Sequence, residues 1–279
     1  MEIKYGCPYW GNESISPSQF LKKITASGFQ GIELYLDPES QLSKDWICAI
    51  EETRTDNPDF FFSLLQLNIT PNESVEEHIR YMQKNIPLLA ALQPNFINCH
   101  TGRDFFSFDD NCRLIETAED ISKKHNVRIL HETHRSRFSF HAPGLLPYLK
   151  KFPDMQLLGD LSHFTVVSES MLEHISETLE AIFPHISHIH ARIGHEQAPQ
   201  VNDPSAPEWK SHLDIFMSWW KRILEIKKQL GQQLFTITPE FGPPPYLPCS
   251  PFSQEPLSDA YKNNSYILNA LKTSFGESI

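Results

Sequence analysis

The chain has no apolar run approaching the roughly 20 residues that a membrane span needs. Its first residues, MEIKYGCPYW, lack the basic stretch and apolar core of a secretory signal, so a cytoplasmic protein is expected. Basic residues are in deficit: 24 Lys and Arg stand against 35 Asp and Glu, a formal net charge of −11. This disfavours nucleic acid as the principal partner, because phosphate binding wants a cationic surplus on at least one face. Cysteine is sparse too. Cys7, Cys48, Cys99, Cys112 and Cys249 are odd in number and form no C-x-x-C. They read as buried free thiols in a reducing compartment rather than as a disulfide framework. Nor is there a linker, a low-complexity tract or a break in composition. Residues 1–279 therefore read as one domain, and a hydrophobic fraction of 40% is enough for a real core.

What is present is a repeat. Short apolar runs at 3–7, 31–36, 60–67, 96–100, 127–131, 156–159, 186–191 and 235–238 read as eight strands. Amphipathic stretches lie between them, at 72–92, 107–125, 169–183 and 209–230 among others. Ser16-Pro17-Ser18-Gln19 has the residues of a capping box with Pro at the first helical position, and Gly28 stops that helix. Eight strand–helix units predict an α/β fold, a single closed (β/α)₈ TIM barrel, since such barrels run to about 250 residues as one unit.

Side chains alternate faces along a strand. Over 186–193, Ile189, Ala191 and Ile193 share one face, and His188, His190 and Arg192 share the other. Thr236, Thr238 and Glu240 oppose Phe235, Ile237 and Pro239 in the same way, and Asn98 and His100 oppose Ile97 and Cys99. A polar face that recurs from strand to strand points into the barrel, and near the strand C-termini it lines the mouth. Buried polar layers are costly unless they bind something.

Four strand ends carry the chemistry: Glu132 in VRILHETHR, Asp160 in MQLLGDLSH, His190 in ISHIHARIG and Glu240 in FTITPEFG. Any one alone is more often a helix cap or a solvated charge. Four in succession form a largely hard ligand set that suits one divalent cation, Mn²⁺, Mg²⁺, Co²⁺ or Zn²⁺. His163, three residues after Asp160, is placed to meet a substrate oxygen. His100, Arg192, Arg135 and Trp10 are candidate substrate contacts, with Arg137, Phe105 and Phe106 near the same end. His188, one inward step deeper than His190, reads as its support. Residues 194–207 read as a lid, and FGPPPYLPCSP after Glu240 as a rigid loop over the mouth.

These strand ends resemble those of the xylose isomerase-like barrel superfamily, in particular its sugar phosphate isomerase/epimerase branch, which also includes endonuclease IV. The resemblance implies metal ligation by Glu132, Asp160, His190 and Glu240, and substrate contact by His163 in the D-x-x-H that begins at Asp160. It also implies that Glu132 and Glu240 shuttle a proton at a substrate carbon. Ketose 3-epimerases of the family carry a Glu where this chain has Phe138 and an Arg where it has Glu196. Endonuclease IV carries further His ligands. The third strand here ends Leu65-Gln66-Leu67-Asn68 with no His, and Ser205 stands two residues after Asp203. The expected function is a metal-dependent isomerase or epimerase of a sugar-like small molecule. A lyase or dehydratase acting on a cyclitol or keto-sugar is the near alternative. A metal-assisted hydrolase, with His100 and Asp203 holding a second ion, is the farther one. A non-catalytic sugar-binding barrel is a third class, which the intact ligand set opposes. A homo-oligomer is compatible with this reading.

Overall fold

The computed structural model describes residues 1–67 and 70–278; Asn68, at the end of the expected third strand, lies outside them. Eight strands close on themselves in sequence order, every neighbour parallel. They are β1 (Glu2–Pro8), β2 (Gly31–Leu34), β3 (Phe61–Gln66), β4 (Phe96–Cys99), β5 (Ile129–Glu132), β6 (Leu157–Gly159), β7 (Ile186–His190) and β8 (Leu234–Thr238). The helices around them are α1 (Pro17–Ala26), α2 (Gln41–Asp56), α3 (Val75–Ala91), α4 (Phe108–His125), α5 (Ala142–Lys151), α6 (Ser162–Ser168), α7 (Ser176–Ile182), α8 (Lys210–Gln229) and α9 (Ala260–Phe275). The fold is a (β/α)₈ barrel, as the repeat predicts. Among the described residues, no helix is long and apolar enough to cross a membrane.

Local chemistry sets the helix ends. Ser74 accepts from Glu77 N at 3.3 Å while Glu77 Oε2 accepts from Ser74 N at 2.7 Å, a complete capping box for α3. Ser107 caps α4, whose first turn carries Asp109 and Asp110 and whose last carries Lys123, Lys124 and His125, matching the helix dipole. The capping box expected at Ser16 does not form. Its hydroxyl donates instead to Gln19 Oε1 at 3.0 Å, and no backbone N–H reaches it. The helix expected over 169–183 is also broken. Glu169 (φ 45°) and Leu172 (φ 61°) take left-handed backbone that no continuous helix allows. With α6 ended at Ser168, the chain there forms a 3₁₀ turn at Glu173–Ile175 and then α7.

Inside the barrel, period-2 alternation stacks two kinds of layer. The floor is an apolar cluster of Phe61, Phe96, Leu130 and Leu158. His188 rests on it, its ring 4.9 Å from that of Phe96. The next inward residues on the same strands are Asn98 above Phe96, Glu132 above Leu130 and Asp160 above Leu158. Packing against the helices is left to the outward faces, among them Ile3, Tyr5, Ile97, Ile189 and Ile237. The apolar floor thus holds the polar layer at the C-terminal mouth, where barrels of this type carry their sites.

Phe61 fits the floor because Gly31, paired beside it, has no side chain; a Cβ there would lie 2.3 Å from the Phe61 ring. Gly31→Ala should overpack this layer and cost about 1–3 kcal/mol. Thermal unfolding should fall by about 2–4 °C for each kcal/mol lost. An unchanged midpoint would show that Phe61 has room to move.

Candidate metal centre

His190, at the end of β7, is the hub. Its Nδ1 lies 2.9 Å from Glu240 Oε2 and 3.4 Å from Glu132 Oε1. Its Nε2 lies 2.8 Å from Glu33 Oε2. One ligand atom from each of Glu132, Asp160, His190 and Glu240 falls within 4.8 Å of the others, close to the span of a single cation bound at about 2.0–2.2 Å per ligand. The four residues that the strand ends singled out therefore converge.

Glu33, which the strand-end pattern leaves out, joins the cluster from behind. It lies in β2, in the run GIELYL, and its two oxygens are divided between two histidines. Oε1 accepts from Thr238 Oγ1 at 2.6 Å and lies 2.8 Å from His188 Nε2; Oε2 takes His190. His188 Nδ1 pairs with Thr236 Oγ1 at 2.6 Å. A carboxylate behind the far nitrogen of a histidine fixes its tautomer and aims the near nitrogen at a metal. The available signal was a charged residue at an inward position of an otherwise apolar strand.

The other residues of the cluster are oriented by their neighbours too. Glu132 Oε2 accepts from Asn98 Nδ2 at 2.6 Å and lies 2.7 Å from His100 Nε2, leaving Oε1 toward His190. Asp160 Oδ1 accepts from Ser162 N at 3.0 Å and Ser162 Oγ at 2.5 Å. Its Oδ2 pairs with Arg192 Nη2, which also lies 3.3 Å from Glu240 Oε2 and 3.1 Å from His163 Nε2.

Burial would raise the Glu132 carboxyl, but His100 and His190 outweigh it and hold the group well below the usual range. Burial also opposes charge on His190, yet Glu240, Glu33 and Glu132 push it well above an ordinary imidazole. Burial likewise opposes the Arg192 charge, and Asp160 and Glu240 keep it protonated. Burial first, with the Arg192 guanidinium adding to it, holds His134 and His163 well below an ordinary imidazole.

Four carboxylates thus face one guanidinium and one imidazolium, still a surplus of negative charge in a buried place. Among the described residues, His190 Nδ1 and Glu240 Oε2 are buried and make no hydrogen bond, although they face each other. Buried polar atoms normally find partners. A divalent cation satisfies both, so the donor set fits one, in the hard carboxylate–imidazole class.

A cavity of about 430 Å³ opens over this layer. Trp10, His100 and Arg192 line it, as do Glu33, Asn98, His134, Arg137 and Tyr246. Trp10 meets Tyr246 edge-on with centroids 5.2 Å apart. Arg135 is half-buried outside the lining, its guanidinium 5.0 Å over the Tyr246 ring. His163 is fully buried, behind Arg192 and 3.9 Å from the His134 ring, so His134 rather than His163 meets the cavity. Phe105 and Phe106 pack on each other away from the lining. Asp203 accepts from Ser205 N and Oγ and joins no convergent group of acids and histidines among the described residues. The segment 194–207, read as a lid, is anchored: buried Gln200 bonds both ways with Gly242, at 2.8 and 3.0 Å. The Pro-rich loop does reach the mouth, through Tyr246.

Arg192 sits where it competes with a cation for Asp160 and Glu240. Arg192→Gln should lower the unfolding temperature of the metal-free protein, because a buried carboxylate left unpaired costs about 3–5 kcal/mol. Added Mn²⁺ should then raise that temperature by more than it does for the parent chain. Equal metal-induced shifts in thermal denaturation would show that Arg192 and the cation do not compete.

A closed parallel barrel with a carboxylate–histidine cluster at its C-terminal mouth is the architecture of a known class. The sequence profile of the xylose isomerase-like TIM barrel matches residues 21–203, and the chain belongs to that family. No curated protein matches the chain in sequence. Solved structures of similar fold include the probable 3-DHS dehydratase AsbF, involved in petrobactin synthesis, from Bacillus anthracis. It is 18% identical at TM-score 0.62, with 95% of this chain and 98% of that one covered. The 3-keto-D-glucoside 4-epimerase YcjR of E. coli, in its apo form, is 12% identical at TM-score 0.60, over 98% and 100%. A xylose isomerase-like TIM barrel protein of Mycobacterium smegmatis in complex with magnesium is 12% identical at TM-score 0.59, over 98% and 97%. At these identities the likeness is one of fold.

Proposed function

We propose that the protein is a divalent-metal-dependent isomerase or epimerase that moves a proton next to a carbonyl in a sugar or sugar derivative. The observation that carries this is the pair of buried, unbonded atoms His190 Nδ1 and Glu240 Oε2, backed by Glu33 and flanked by Glu132 and Asp160. Glu132, Asp160, His190 and Glu240 would hold a divalent cation, which would supply Lewis acidity toward a substrate carbonyl and so favour loss of the proton α to it. Glu132 removes that proton and Glu240 returns one at the neighbouring carbon or the opposite face. Arg192, seated on His163 and Asp160, faces the developing negative charge. An epimerase and a probable dehydratase are among the similar folds, and another xylose isomerase-like barrel was solved in complex with magnesium, which supports this reading.

A lyase is the second reading. Expelling a hydroxyl requires a proton donor at the cavity wall, and Tyr246 Oη, 3.3 Å from His134 Nε2, is one. The hydrolytic alternative rests on His100, Glu132 and His134, which also converge closely enough to hold an ion; two or more metals per chain would favour it.

The test is a screen of ketoses, keto-acids, cyclitols and their phosphates in D₂O, read by proton NMR. Deuterium on the carbon next to the carbonyl is the expected result, because a carboxylic acid reached by solvent exchanges before it returns its proton. A dehydrated product supports the lyase. Solvent ¹⁸O in the product with no carbon-bound deuterium rejects the isomerase and the lyase together.

A further inference from the structure

The cavity over the metal centre is two-sided. His100, Glu132, His134, Arg192 and Glu240 make one wall. The other is built from the ends of β1 to β3 and the first turn of α2: Trp10, Tyr35, Leu42, Leu65 and Leu67. The lining residues that belong to or follow β1 to β3 include no Lys or Arg, the cavity's two arginines, Arg137 and Arg192, coming after β5 and β7; the charged residues here are Glu13 and Glu33, both acidic. A phosphate placed there would meet repulsion and no donor fork. Tyr35 and Leu42 are 59% and 45% exposed, large apolar groups left at the rim of a polar site.

Trp10 is held ready rather than loose. A Cβ on Gly242 would lie 2.2 Å from the indole, so the ring occupies the space that glycine frees, and Tyr246 closes its other side. Rigid aromatic and leucine surface of this kind gains most from a flat apolar partner. Building such a wall beside a ligand cluster is physically unprofitable unless the substrate carries something to cover it.

We infer that the substrate bears an uncharged aromatic substituent at its non-reacting end, an aryl glycoside or aryl-substituted cyclitol rather than a sugar phosphate. This rests on the proposed function for the reacting end, but the aryl subsite is read from the opposite wall. The polyol end sits against the metal centre and Arg192, and the aryl group lies between Trp10 and the leucines.

The experiment uses the Mn²⁺-loaded full chain and three probes: phenyl β-D-glucopyranoside, methyl β-D-glucopyranoside and glucose 6-phosphate. Binding is read by Trp fluorescence and by ligand-observed NMR. The phenyl glycoside should bind at least about tenfold tighter than the methyl glycoside, from the apolar area that the ring buries. Leu42→Glu, at an exposed rim position where folding is not at stake, should erase that preference, and Leu42→Phe should keep it. Equal binding of the two glycosides, no binding by the phenyl glycoside, or tightest binding by glucose 6-phosphate overturns the inference. So does a dimer in sedimentation that Leu42→Glu dissociates, because a second copy would then cover the wall. The two readings fail separately. An aryl preference without carbon-bound deuterium from any substrate rejects the isomerase and keeps the subsite. Deuterium exchange without an aryl preference does the reverse.

Discussion

Glu132→Gln should lower turnover of the true substrate by about 10²–10⁴, the range for losing a positioned acid–base group. The carboxylate stands at a junction: Oε2 receives Asn98 and faces His100, and Oε1 faces His190 across 3.4 Å. An amide in its place can still accept from Asn98 but cannot take a proton, and its NH₂ must point at one of the two histidines. Metal affinity should therefore fall too, by about tenfold or more. Isotope exchange at saturating metal separates the effects. If exchange recovers to the parent rate once the site is filled, Glu132 is a ligand only and the base lies elsewhere. If both metal binding and exchange are untouched, the proposed centre is wrong.

The parts of this centre that sequence shows are those that sit at the ends of regular alternation. ISHIHARIG places His188, His190 and Arg192 on one face by period 2 alone, and the structure keeps them there. The spacing from Glu132 to Asp160 to His190 is set by whole β/α units, so eight strands could be counted and their ends compared. What stayed hidden depends on closure of the barrel. Glu33 meets His190 across 157 residues because barrel closure pairs β8 with β1 and so brings β7 within three strands of β2, and a lone glutamate in an apolar strand gives no hint of that partner. His163 shows the limit from the other side. The D-x-x-H spacing is local and legible, but α6, seven residues long, turns that imidazole under His134 and behind Arg192. Such a helix is too short for periodicity to reveal, so the depth of its side chains was not readable either. Tyr246 lay within a proline run that was legible as rigid but not as aimed, and its reach into the cavity follows from the path of that loop.

Glu33→Gln should weaken metal binding by about 10- to 100-fold, the range seen when a partner behind a metal-binding histidine is lost. The reason is the division of labour between its two oxygens. One receives Thr238 and faces His188; the other faces His190 Nε2. A carboxylate accepts at both, and in doing so draws the His190 Nε2 proton and leaves Nδ1 free for a cation. Glutamine has one carbonyl oxygen. If it serves His190, its NH₂ confronts the Thr238 hydroxyl and His188; if it serves those, its NH₂ opposes the Nε2 proton and turns the ring. Either way Nδ1 is no longer held 2.9 Å from Glu240 Oε2. Burial also matters, because the lost negative charge lies in a layer where water screens little. Competition against a chelator of known affinity, followed by metal analysis of the desalted protein, measures the effect. Thr238→Val is the control: it removes one donor from Glu33 but leaves the carboxylate on His190, and should cost far less. Affinity in Glu33→Gln equal to that of the parent would mean that the imidazole is oriented by packing alone, and that the carboxylate behind it serves the fold rather than the metal.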